Sequence, residues 1–249
     1  MPSPWPWARK PRTEAFELQA DLQSVLEFGL VSSEEELREL TAMICAGLPS
    51  ELNIKACWSR PKPHLLRLEI DCPPEGVFMQ TFRPHDGAFM VYQDAMVLDP
   101  KHHRRGNAKR LVRNLVIAYD EHNITEVRTK ANYTAGGYTW AILGARACYP
   151  ELQQDLLAKC LDDRIRTGQI DARYRRKVML ILDEMKPTMM QDIAELEGPD
   201  GFKIGLALLY GHSWDAYWDL SNQDIRQYIR EALDEDDDAS SRLDHQDHG

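Results

Sequence analysis

Asp99-Pro100-Lys101-His102-His103-Arg104-Arg105-Gly106-Asn107-Ala108-Lys109-Arg110 stands between an apolar run and a helical pattern. Ala88 to Tyr92, with Val97 and Leu98, precede it; Leu111, Leu115 and Ala118 follow at helical spacing, with Val112 and Val116 beside them. The order is strand, basic glycine turn, helix. A helix start offers unpaired N–H groups and the positive end of the helix dipole. Gly106 lets the backbone approach an anion closely, Ala108 keeps the wall low, and Arg104, Arg105 and Lys109 add positive charge. Chemically the turn reads as a phosphate cradle; the plainer reading of the same residues is a basic helix start without a ligand. Neither G-x-x-x-x-G-K-[ST] nor G-x-G-x-x-G occurs in the chain, which excludes the common nucleotide loops.

Working outward, residues 14–30 place Leu18, Leu22, Val25 and Leu26 on one stripe and predict an amphipathic helix. Ser32 and Ser33 followed by Glu35 and Glu36 read as a capping box that opens a second helix, ended by Gly47-Leu48-Pro49. Strands are predicted at 52–58, 64–70, 76–82 and 88–98, and the short turns between them make an antiparallel meander. Residues 124–130 alternate and are β-branched, so a strand returns after the central helix. Beyond Ala145 one helical stripe is Leu152, Leu156, Cys160, Leu161 and Ile165, and a second is Tyr174, Val178, Ile181, Leu182 and Met185. A short helix opens at Pro187-Thr188, residues 202–210 read as a late strand, and Ser221 caps a last helix. The predicted class is α+β. Its parts are a flexible segment 1–13, a core 14–150, a helical insertion 151–198, a late strand and helix 199–233, and an acidic disordered tail 234–249.

A net charge of −10 argues against bulk nucleic-acid binding, yet six of the thirteen residues from Lys101 to Arg113 are Lys or Arg. Positive charge concentrated at one helix start suits a small polyanion better than a duplex. No apolar run approaches a membrane span, and the Pro- and Trp-rich start lacks a signal core, so a cytoplasmic protein is expected. Five cysteines without a C-x-x-C pair point to reduced, mostly buried thiols. His102 and His103 lack a third ligand nearby in basic surroundings, so no metal is expected.

His103-Arg104-Arg105-Gly106-Asn107-Ala108 resembles the pyrophosphate loop [QR]-x-x-G-x-[GA] of the GNAT superfamily of acetyltransferases, with His103 where Gln or Arg is usual. Asn132 and Ala135 match the N-x-x-A of that family, and after one extra residue Thr139 to Ala145 stand where L-Y-x-x-x-G-[FY] is found. The resemblance covers residues 88–145. It implies a GNAT-like mixed sheet with flanking helices. It also implies acetyl-CoA or another acyl-CoA as cofactor, held by Met96, Val97, Leu98, His103, Arg104, Arg105, Gly106, Asn107, Ala108, Lys109 and Asn132. The acceptor is then a small-molecule or peptide amine. A main-chain N–H near Ala95, Met96 and Val97 would stabilise the oxyanion, and Asp94 or, second, Glu126 would be the base. Trp140 takes the place of the usual general-acid tyrosine, so Tyr138 on the same short helix is the candidate acid. Two other classes stay open: a non-enzymatic acyl-CoA or polyanion-binding module, and a macromolecular interaction domain that uses the Lys101–Arg113 face.

Overall fold

A computed structural model describes residues 16–45, 54–72, 76–98, 107–227 and 229. They form an α+β fold with two compact units, one up to Thr125 and one from Glu126.

The first unit holds β1 (Phe16–Ala20), β2 (Ile54–Lys62), β3 (Leu65–Cys72), β4 (Gly76–His85) and β5 (Ala88–Leu98), paired in that order as a mixed sheet. β1 is parallel to β2, and the other three pairings are antiparallel. Between β4 and β5, Asp86 and Gly87 take φ of 47° and 77°, the two-residue turn whose twist matches the strands it joins. Alternation sends Trp58, Leu68, Ile70, Phe78 and Phe82 inward, where they are almost fully buried. Three helices reach this face. Phe28 of α1 (Leu22–Phe28) stacks on Phe89, and Thr41 of α2 (Glu34–Cys45) accepts a bond from Trp58 Nε1 at 2.9 Å. Tyr119 of α3 (Asn107–Glu121) accepts one from Gln80. On the other face Lys55, Cys57, Glu69, Asp71 and Asp94 are exposed.

β6 (Ile124–Ala131), which belongs to the second unit from Glu126 on, β7 (Arg146–Ala147) and β8 (Trp214–Asp219) pair antiparallel in the spatial order β6-β8-β7. α4 (Tyr133–Ile142) packs on β8: Trp214 Nε1 donates to Gly137 O at 3.1 Å, and Trp140 lies against Trp218 with ring centroids 4.8 Å apart. α5 (Pro150–Arg166), a 3-10 turn (Ala172–Tyr174), α6 (Arg175–Glu184), α7 (Met189–Ala194) and α8 (Ile204–Leu209) complete it.

Four sequence expectations are corrected. Residues 14–30 are not one helix: β1 comes first, and Asp21 starts α1 by accepting from Ser24 N and Ser24 Oγ. Phe16 and Leu18 satisfy a period of two as well as they satisfy a helical stripe, and Asp is a better cap than a helix-interior residue. The run 202–210 holds a helix, not a strand; the late strand is β8. Ile204, Gly205, Leu208 and Leu209 are its buried residues, a helical spacing inside an apolar run too short to reveal its period. The buried stripe of α5 is Gln153, Leu157 and Leu161, while Leu152 and Leu156 stay exposed. Asn222, not Ser221, caps the last helical residues, its Oδ1 accepting from Asp224 N and Ile225 N. The capping box forms with one change: Ser33 Oγ accepts from Glu36 N, and Glu36 reaches back to Ser32 rather than to Ser33.

Candidate functional site

Alternation along β5 breaks at Asp94. Ala95 faces Met79 and Gln93 faces Gln80, so one step on β4 matches two on β5 and Asp94 is the extra residue of a β-bulge. A bulge resets which face each residue sees. Gln93 points inward at 5 % exposure, Asp94 is exposed, Ala95 is half-buried, and Val97 lies 47 % exposed. The Asp94 carboxylate is held from the neighbouring strand by Thr81 Oγ1, which donates to Oδ2 at 2.5 Å. A bulge beside an open sheet face is a common way to re-aim a functional side chain. The main chain of Met96 and Leu98 belongs to β5.

In sequence β5 is followed by the basic glycine-containing stretch. His103, Arg104, Arg105 and Gly106 lie outside the described residues, as does the rest of 99–106. Asn107, Ala108 and Lys109 form the first turn of α3, whose backbone runs to Glu121. The expected helix after Gly106 is present from Asn107.

The remaining candidates are in the second unit. Glu126, third residue of β6, is ion-paired with Arg128 two residues on, which occupies its carboxylate. Asn132, at the other end of β6, is the N-cap residue of α4, and its side chain makes no cap hydrogen bond. Six strand steps separate the two, about 20 Å, so they do not share a site. Tyr138 on α4 is half-buried and lies within electrostatic reach of Lys203, whose ammonium is held charged mainly by Glu197. Lys203 borders an open cavity of about 480 Å3 lined also by Arg164, Phe202, Leu206 and Tyr210. Trp140 is buried against Trp218, a packing position. Cys148 sits near Arg128 and Asp215; burial pushes its thiol up, against the opposing pull of Arg128.

Thr81, Gln80, Gln93 and Tyr119, none of them a candidate from sequence, lie around the bulge. The available signal was an amide in an apolar row: Gln80 between Phe78 and Phe82, and Gln93 after Val91. Among the described residues no three His, Cys, Asp or Glu side chains are placed to hold a metal ion, and no helix is long and apolar enough to cross a membrane.

No family model, no curated protein and no solved structure matches this chain.

Proposed function

We propose that this chain is an acyl-CoA-dependent N-acyltransferase of GNAT type, with acetyl-CoA as donor and an amine on a small molecule or peptide as acceptor. The observation that carries the reading is the bulge on β5. It presents a carboxylate, Asp94, beside the main chain of 95–97, on a strand that in sequence precedes the basic glycine-containing stretch and then α3. The chemistry requires little else. The acceptor amine must lose a proton, which Asp94 takes as the new C–N bond forms. Main-chain N–H groups at 95–97 stabilise the oxyanion of the tetrahedral intermediate. The C–S bond of the thioester then breaks, and the departing thiolate takes a proton from a phenol, assigned to Tyr138 because an indole cannot donate one. Asn132, whose side chain makes no cap hydrogen bond at the start of α4, is kept as a cofactor contact.

One observation favours a second reading. Trp140 stands where the resemblance expects tyrosine and is committed to packing on Trp218, as suits an acyl-CoA-binding module without catalysis. Acetyl-CoA consumption measured against a panel of amines and peptides separates the two. Turnover by the parent is expected, with kcat lowered about a hundredfold in Tyr138→Phe and acetyl-CoA affinity unchanged. A parent that binds acetyl-CoA yet turns over no acceptor supports the binding module. Tighter binding of RNA than of CoA at physiological salt supports the interaction domain.

A further inference from the structure

Three side chains that the transfer chemistry does not use form a buried polar string beneath the bulge. Gln80 is fully buried, Gln93 is 5 % exposed and Tyr119 is 1 % exposed. Gln93 Nε2 donates to Met79 O at 3.1 Å and to Ala95 O at 2.6 Å, the two main-chain oxygens of the residue pair next to the bulge. Gln93 Oε1 accepts from Gln80 Nε2 at 2.9 Å, and Gln80 Nε2 also donates to the Tyr119 hydroxyl on α3. Burial keeps that phenol protonated far above the usual range.

Buried amides cost free energy unless their polar groups are paired, and an apolar residue at either place would fill the row without that demand. What the amides supply instead is direction. A single planar donor ties together two carbonyls on different strands, which sets the course of the main chain between Gln93 and Ala95. The side chain of Asp94 leaves from that segment, and Thr81 holds it from the opposite face of the sheet.

We propose that Gln93 is a positioning residue: it clamps the bulge so that Asp94 and the main chain at 95–97 keep one geometry, and Gln80 and Tyr119 lock Gln93 in place. Its effect on turnover rests on the acyltransferase reading; the clamp does not.

Gln93→Met keeps the length of the side chain and removes the amide, and Tyr119→Phe removes only the outermost hydroxyl, so it serves where Gln93→Met does not fold. Amide hydrogen exchange of the 88–98 segment reads the clamp without any assay of activity. Exchange there is expected to rise about tenfold in Gln93→Met, and less in Tyr119→Phe, with the 54–62 segment unchanged. On an active parent, kcat falls about tenfold while KM for acetyl-CoA stays put, and Gln93→Met adds nothing in an Asp94→Asn background because both act at one point. Unchanged exchange at 88–98 in both variants overturns the clamp. A loosened bulge with unaltered kcat, or a full additional loss in the Asp94→Asn background, overturns the positioning role. A parent without turnover overturns the acyltransferase reading and the positioning role with it, while exchange still decides the clamp.

Discussion

Asp94 shows how little of a site depends on residue type and how much on where the main chain turns. In the sequence it is an acid near the end of an alternating strand, equally suited to water or to catalysis. The bulge and the Thr81 bond single it out from other exposed acids of the same face, Glu69 and Asp71. Asp94→Asn keeps the shape and the Thr81 contact but cannot take a proton. Turnover is expected to fall by about a hundredfold or more, with acetyl-CoA affinity unchanged in a titration. Equal turnover in parent and variant removes Asp94 from the mechanism. Bulges leave faint traces in sequence because a strand with one extra residue alternates on either side of it. Gln93 next to Asp94 was the trace here, an amide at an inward position that only the register makes inward.

At the scale of elements, α4 carries adjacent glycines with opposite expectations. A Cβ on Gly137 would lie 2.4 Å from His212 O and 3.1 Å from Leu209 O, both main-chain atoms that cannot step aside. The absent side chain is what lets α4 lie close enough for Trp214 to bond Gly137 O. A Cβ on Gly136 would meet nothing nearer than 3.9 Å. Gly137→Ala is therefore expected to lose about 2 kcal/mol or more, and Gly136→Ala to gain up to about 1 kcal/mol from reduced chain entropy in a helix. Chemical denaturation of both variants checks the pair, and equal effects would refute the close approach. The meander, the central helix and the helices between 150 and 194 are legible in the sequence, because their periods are long and their turns are marked by Gly, Pro and Asp. β1 and α8 are not legible there, for a shared reason. Both are short, five or six residues, and each packs on an element far away in sequence: β2 for β1, and α4, whose Gly137 lies against the carbonyl of Leu209, for α8.

At the scale of the molecule, acid should weaken the fold before carboxylates titrate in bulk. Burial holds His122 below its ordinary value near 6.5, the nearby Glu36 opposing this only in part, and burial together with Arg164 does the same for His212. Bonds from Ser32 main chain and side chain hold Glu36 low as well. In each case the folded state gives up protons more readily than the unfolded chain, so stability present at neutral pH is lost on acidification. The histidine share goes as pH drops below about 6.5, and the Glu36 share follows below about 4.5. Melting temperatures followed from about pH 7.5 to 5.5 should fall, and fall less in His122→Gln; an identical slope in that variant would show His122 is not the cause.

The basic glycine-containing stretch ahead of α3 is the basis of the proposed activity, and calorimetric titration of the full chain with acetyl-CoA tests it most directly. Saturable binding is expected for the parent, weakening as salt rises, and none for a folded Gly106→Val, because a side chain there keeps the backbone from the pyrophosphate. A parent that does not bind, or a Gly106→Val variant that binds as tightly as the parent, would contradict the account.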